Sequence, residues 1–367
     1  TVDDIISIIC ATVPEASGET VVLESLGKRM SILDMDIGKP QQYGRLSEAL
    51  SDLEKEAGNA MNHLFYLAIP ATLFETVTGR MGEPDINRHE PGIRECRFLI
   101  EKPFGFSLDS ARQLIDSLGA RFDQSQIYRI DHYLAKETAQ NILAFRFANG
   151  LFEPIWNRSH IDHVQIDVPE TLGLGKRAAF YEQTGAYRDM VVTHLFQILA
   201  FTAMEPPTSL EPSAISREKN KVFRSMQPIQ PSDVVRGQYH GYHDEPGVKH
   251  DSETETFVAL KCYVDNWRWA GVPFYLRTGK RMAKKVTEIA IQFRRPPVTL
   301  FRQAAGPAAN VLVLRVQPDE GFSLLIESKV PGQGPVCNRW RWTTRTARPS
   351  GSSPSAPTRP SSSTRWK

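Results

Sequence analysis

The sequence predicts two folds in succession: an α/β part with a partial doubly wound sheet, then a larger α+β part whose mainly antiparallel sheet is covered by helices. Three observations carry this reading. In the first third, short apolar runs that stop at proline or a charged turn alternate with helical segments. From about residue 160, apolar residues alternate one by one through strand after strand. After Pro331 all periodicity ends.

The elements follow in order. Leu64-Phe65-Tyr66-Leu67-Ala68-Ile69 is a continuous apolar run ending at Pro70, and Arg97-Phe98-Leu99-Ile100 ends at Glu101-Lys102-Pro103. Runs of this length between helical segments predict buried parallel strands. Ser107 to Leu118 reads as a helix. Ser107 caps it, Leu108, Ala111, Leu114, Ile115 and Leu118 form its apolar stripe, and Gly119 ends it. Doubly wound sheets take ligands at the carboxyl ends of their strands, and Tyr66, Pro70, Lys102 and Pro103 sit at or near such ends. A dinucleotide-binding sheet opens on a strand, a Gly-rich turn and a helix whose amides hold the pyrophosphate. The early cluster Ala16-Ser17-Gly18-Glu19 follows no such pattern, and the chain starts at Thr1 rather than Met. The chain is therefore expected to be truncated, with that turn in front of Thr1.

In the second part, Val164, Ile166 and Val168 alternate. So do Val258, Leu260, Cys262 and Val264, then Ile289, Ile291 and Phe293. Leu312, Leu314, Val316, Phe322, Leu324 and Ile326 continue the theme, predicting an antiparallel sheet with one covered face. A helix over about Gly185 to Met204 supplies the cover, with Met190, Val191, His194, Leu195, Ile198 and Leu199 at helical spacing. Residues 331–367, rich in Ser, Pro, Thr, Arg and Trp, cannot bury a core and are expected to be disordered.

The 367 residues leave room for two or three domains. No apolar run approaches the roughly 20 residues needed to cross a bilayer, and no leader precedes a cleavage site. The four cysteines are scattered without a Cys-x-x-Cys pair, which argues against a zinc ribbon or disulfide scaffold and for a reduced, cytoplasmic setting. The net charge is +2, but residues 331–367 hold seven Lys or Arg and no Asp or Glu, so the body carries −5. Such a body has no general attraction to nucleic acid.

Chemistry concentrates in three places. His194, on the apolar stripe of its helix, is either a packed core histidine or a general base, its ordinary pKa near 6.5 being matched to proton abstraction. Asp189, five residues earlier, falls on another face of an α-helix. Arg129-Ile130-Asp131-His132-Tyr133-Leu134-Ala135-Lys136-Glu137 packs an acid, an imidazole, a phenol and an ammonium just before an apolar-periodic run. His132 and Lys136, four apart, share a helical face and suit a phosphate, or else form a solvated basic patch. Arg277-Thr278-Gly279-Lys280-Arg281-Met282-Ala283-Lys284-Lys285 holds five cations around a glycine, as a solvated loop or a closure on an anion. Pro103 restricts Lys102 to extended backbone, aiming it from a strand end into the crevice.

The cluster at 129–137 resembles the signature of the glucose-6-phosphate dehydrogenase family. Its neighbours agree in order: Leu64 through Pro70, Glu101-Lys102-Pro103-Phe104-Gly105, Gln140-Asn141-Ile142 through Trp156-Asn157, Arg188-Asp189-Met190, His194, and Gly271-Val272-Pro273-Phe274-Tyr275 through Lys280. The resemblance runs from roughly Asn62 to Gly332. It implies a truncated, Rossmann-like NADP-binding domain over 1–128, a substrate-binding α+β domain over 129–330, and a tail over 331–367 that is a disordered extension or the product of a shifted reading frame. It implies oxidation of glucose 6-phosphate at C1 with hydride passing to NADP. His194 becomes the general base and Asp131 the group that orients it. His132, Tyr133, Lys136 and Lys285 hold the phosphate, while Glu170, Asp189 and Lys280 bind sugar hydroxyls. Lys102 sits between sugar and nicotinamide, and Tyr66, Pro70 and Pro103 join it on the cofactor side.

The family commonly forms homo-oligomers through its large sheet, with no nucleic acid or membrane partner. Loss of strands after Pro331 is expected to expose a sheet edge. Ala135 stands where the family has Gly, and Thr193 where Asn is usual. Two alternatives accompany the leading one: another NAD(P)-dependent sugar oxidoreductase, since Glu-Lys-Pro after a strand recurs in such enzymes, and a sugar-phosphate-binding fragment without turnover.

Overall fold

The computed structural model describes residues 1–13, 18, 20–70, 73–90, 93–102, 104–105, 107–130, 137–298, 300, 302–303, 309–318, 320–332 and 336–345. The chain divides into two compact units, Thr1–Asp131 and His132–Lys367.

In the first unit, helices α1 (Val2–Thr12), α2 (Thr20–Gly27) and α3 (Tyr43–Ala57) precede strand β1 (His63–Leu67). Then come α4 (Phe74–Met81), β2 (Cys96–Ile100), α5 (Leu108–Gly119) and β3 (Ile127–Arg129). The three strands lie in the order β1-β2-β3, all parallel. Their core joins Leu67, Phe98 and Ile100 to Val77 and Met81 of α4 and Leu118 of α5. Helix α5 starts as expected: the Ser107 hydroxyl accepts from the Ser110 amide while the Ser110 hydroxyl accepts from the Ser107 amide. Two details differ from expectation. Leu108 and Ile115 of its stripe face solvent. Strand β1 is buried on one face only, with Leu64 63% and Tyr66 54% exposed, and the same face is exposed at Arg97 of β2 and Tyr128 of β3.

At the start of β1, His63 is buried beside Glu54 of α3, its Nε2 3.4 Å from the carboxylate. Arg88 and Arg94 pair with the same Glu54 at 3.0 and 3.4 Å. Burial holds His63 below its ordinary pKa; Glu54 offsets this in part, and the two arginines add to it.

The second unit opens with α6 (Glu137–Phe147), β4 (Ile161–Pro169) and α7 (Ala178–Ala186). A π-helix, Tyr187–Leu195, runs directly into α8 (Phe196–Ala203), and α9 (Pro212–Arg224) follows. The remaining strands are β5 (Val234–Gly237), β6 (Phe257–Tyr263), β7 (Pro273–Gly279), β8 (Thr287–Phe293), β9 (Arg302–Gln303), β10 (Val311–Gln317), β11 (Gly321–Lys329) and β12 (Val336–Arg345). They form one nine-stranded sheet, β5-β6-β7-β4-β8-β10-β11-β12-β9. Pairing is antiparallel except at β4/β7 and β9/β12. The alternating residues Val164, Ile166, Val168, Val258, Leu260, Ile289, Ile291, Leu312 and Leu314 are all buried in one core with Met190, Val191, Leu195, Ile198 and Leu199. Among the described residues no helix is long and apolar enough to cross a membrane.

Residues 336–345 differ from the disordered tail that composition suggests. They pair with β11 from Lys329↔Cys337 to Gly321↔Arg345, so β11 is not left as an open edge. Most of β12 is exposed, Trp340 and Trp342 included. Backbone pairing rather than side-chain burial holds it, and composition does not report that.

The C-terminal end of α8 is buried, and side chains satisfy three of its last carbonyls. Arg146 Nη1 donates to Phe201 O at 2.9 Å, Trp156 Nε1 to Thr202 O at 2.8 Å, and Trp269 Nε1 to Ala203 O at 2.8 Å. Arg146 is fully buried, bonds both Glu153 oxygens at 3.2 Å, and lies 4.5 Å from the Phe147 ring centre. Burial pushes its pKa down to about 10, against the pull of Glu153, so at neutral pH a cation sits at the negative end of the helix dipole.

Arg146→Ala is expected to cost about 3 kcal/mol or more in equilibrium denaturation, because Glu153 loses its partner and Phe201 O its donor. A loss below about 1 kcal/mol would show that Arg146 does not hold this helix end. For His63 the folded pKa lies below the ordinary 6.5. The unfolded chain therefore binds more protons in acid, and this contribution is complete above that value and lost as pH falls below it. The thermal midpoint of the first unit should drop between about pH 7 and 5.5, and His63→Gln should flatten that slope. An unchanged slope would point to another group.

Candidate functional site

Two expected residues, Asp189 and His194, lie on the π-helix. In an α-helix, residues five apart point about 140° away from each other. In a π-helix the i→i+5 bonding stacks a residue near the one five places on. The expectation that Asp189 and His194 occupy different faces is therefore corrected: the π geometry brings them toward one side. His194 is half-buried while Val191 and Leu195 beside it are fully buried, so it lies at the rim of the apolar stripe rather than inside it. The Thr193 hydroxyl donates to Asp189 O, a bond internal to this helix.

The segment expected as one helix from Gly185 is a π-helix followed by α8, and it is set off from α7 because Gly185 is not helical. Its φ of 62° is left-handed, and a Cβ there would lie 2.5 Å from a Glu255 carboxylate oxygen. Glu255 fills that space for a reason: its Oε1 accepts from the Tyr187 amide at 2.9 Å and its carbonyl from the Ala186 amide at 2.9 Å. A carboxylate thus caps the N-terminal end of the π-helix. Sequence reasoning passed over Glu255, and the one available signal was the glycine at the start of the expected helix.

Glu170 and Lys280 meet through strand register. Strands β4 and β7 are parallel neighbours with Pro169 opposite Gly279, so the next residue of each leaves the sheet side by side. The Glu170 amide donates to Gly279 O at 2.9 Å, and Lys280 Nζ lies 2.5 Å from Glu170 Oε2. Both side chains are largely shielded.

The five-cation run sorts residue by residue. Arg277 makes a two-pronged pair with Asp167 at 2.9 and 2.8 Å. Lys280 pairs with Glu170, Arg281 with Glu245, and Lys284 with Glu288. Lys285 is exposed and has no ion pair among the described residues.

In the first unit, Tyr66 on β1 donates its hydroxyl to Glu101, just past the end of β2, and that carboxylate pushes the phenol pKa up. Lys102 is half-buried, and Pro70 is exposed three residues beyond β1. All four stand at the carboxyl edge of the parallel sheet, where a nicotinamide dinucleotide docks in this architecture. They fit the nicotinamide end of such a cofactor. Among the described residues, no Gly-rich turn joins β1 to α4 or β2 to α5 to hold a pyrophosphate. Asp131, His132, Tyr133, Lys136 and Pro103, together with Ala135, lie outside the described residues.

Residues 5–141 match the family model described as glucose-6-phosphate dehydrogenase, NAD binding domain, and residues 143–354 match glucose-6-phosphate dehydrogenase, C-terminal domain. The second match continues past Gly332, where the motifs read from the sequence stop. A glucose-6-phosphate 1-dehydrogenase 2 of Mycobacterium bovis is 49% identical over 304 residues, covering 79% of this chain and 59% of its own length. The chain therefore spans a little over half of that relative. The crystal structure of glucose-6-phosphate 1-dehydrogenase from Mycobacterium avium superposes with a TM-score of 0.81 at 35% identity, covering 94% of this chain and 74% of the other. A glucose-6-phosphate dehydrogenase in complex with glucose 6-phosphate superposes with a TM-score of 0.83 at 31% identity, covering 94% and 72%. With both family models matched in order and the fold reproduced, the chain belongs to the glucose-6-phosphate dehydrogenase family.

Proposed function

We propose that this chain is the substrate-binding and catalytic part of an NADP-dependent glucose-6-phosphate dehydrogenase. The observation that carries the reading is the pairing of two placements in one unit. His194 and Asp189 come to one side of a π-helix capped at its start and continuous with α8, and Glu170 and Lys280 emerge together from parallel strands. An imidazole beside grouped hydroxyl-binding side chains suits oxidation of a polyol carbon.

His194 accepts the proton of the C1 hydroxyl as the C1–H bond gives up its hydride, leaving the lactone carbonyl. Asp131 stabilises the imidazolium that results. Glu170 and Asp189 accept protons from sugar hydroxyls, and Lys280 donates to a hydroxyl oxygen. Lys285, with His132, Tyr133 and Lys136, meets the phosphate, and the lack of an ion pair at Lys285 among the described residues supports that assignment. When bound, the nicotinamide supplies the hydride acceptor; Tyr66, Pro70, Lys102 and Pro103 would hold it. Preference for NADP over NAD is part of the proposal and rests on the family. The four cysteines carry no disulfide, which supports a reduced, cytoplasmic setting. Domain limits near 1–128, 129–330 and 331–367, and self-association through the large sheet, complete the proposal.

NADPH production and thermal stabilisation by glucose 6-phosphate, measured separately on this chain, test it. Turnover with stabilisation is the expected result; stabilisation alone would favour a sugar-phosphate-binding fragment, and neither response would sink the reading. His194→Asn should lower turnover by at least about a hundredfold while leaving stabilisation by glucose 6-phosphate intact. Turnover that survives the change would remove His194 as the base.

A further inference from the structure

Tyr181 lies on α7 within the second unit and is 2% exposed. Its hydroxyl is buried and has no hydrogen-bond partner among the described residues. Native folds leave few buried hydroxyls unpartnered, and each asks for an explanation. The surroundings supply one. Lys280 Nζ lies 5.6 Å from the ring centre, within reach of a cation–π contact, and the same ammonium is bonded to Glu170. Burial raises the phenol pKa first, followed by the negative charges of Asp189, Glu255 and Glu170 and by Tyr242. The phenol therefore keeps its proton and faces its neighbours as a neutral donor.

That chemistry complements the residues around it. A sugar hydroxyl donates one hydrogen bond and accepts others. Glu170 and Asp189 are acceptors only, so a hydroxyl that gives its proton to one of them still lacks a donor at its oxygen. Lys280 supplies one such donor, already shared with Glu170. Resting on the functional reading above, we propose that Tyr181 is a specificity-determining residue of the sugar site, its Oη donating to a sugar hydroxyl whose own proton goes to a flanking carboxylate. The phenol then rejects a sugar lacking that hydroxyl, because its buried O–H is again left without a partner.

Calorimetric titration of this chain and of Tyr181→Phe with glucose 6-phosphate and its 2-deoxy, 3-deoxy and 4-deoxy analogues tests the assignment. The substitution keeps the ring under Lys280 and removes only the hydroxyl. The unliganded variant should melt at the same temperature or higher, since it loses an unsatisfied polar group. It should bind glucose 6-phosphate about tenfold more weakly. One deoxy analogue should bind the parent chain about tenfold more weakly than glucose 6-phosphate and the variant with no additional loss. Unchanged affinity for glucose 6-phosphate in the variant would overturn the role of Tyr181 alone. So would a lower melting temperature with the same fold loss for every analogue, the mark of a structural role. A parent chain that binds none of the four would overturn the functional reading and this proposal together.

Discussion

The second unit depends on how the buried end of α8 is closed. A helix ends in carbonyls without internal partners, and deep in a core water cannot supply them. Arg146 from α6, Trp156 from the turn after it and Trp269 from the turn before β7 each donate to one of three successive carbonyls. These donors come from segments far apart in sequence, so one helix end ties the helical layer to the sheet layer. The large side chains that make the bonds are also among the largest fully buried groups in the protein. Packing and hydrogen bonding thus converge on the same residues, and neither would be satisfied if the helix slid by one residue.

The opposite end matters because the π-helix is continuous with α8. A π-helix of nine residues is uncommon, and such segments occur mostly as single-turn interruptions at functional sites. Here it is fastened at its start by the Glu255 carboxylate and at its far end, through α8, by the three donors. Gly185 permits the first of these fastenings, since any Cβ would occupy the place of the carboxylate. Both fastenings bear on the π segment that carries Asp189 and His194.

The sheet was legible in the sequence because its cause is local. Val164, Ile166 and Val168 of β4, Val258, Leu260 and Cys262 of β6, Ile289 and Ile291 of β8 and Leu312, Leu314 and Val316 of β10 recur at every second position, and the structure buries them all. The site was legible as residue types but not as an arrangement. Counting at α-helical spacing separates Asp189 from His194, and only the i→i+5 geometry reunites them. Glu170 and Lys280 are 110 residues apart, and their pairing depends on β4 and β7 being parallel neighbours, which no local pattern encodes. Strand β12 was missed because its side chains are mostly exposed and its stability comes from backbone pairing with β11.

Charge bookkeeping inside the cationic loop separates two kinds of recognition. Arg277, Lys280, Arg281 and Lys284 each have a carboxylate of this chain at hand. A paired ammonium and carboxylate present donors and acceptors with little net charge, which matches a neutral hydroxyl better than a dianion. Drawing Lys280 onto a phosphate would leave Glu170, itself largely shielded, without its partner. Lys285 carries no such cost among the described residues. A basic run that sequence inspection treats as one feature therefore divides by partner: Lys280 is held by Glu170, whereas Lys285 has no ion pair among the described residues.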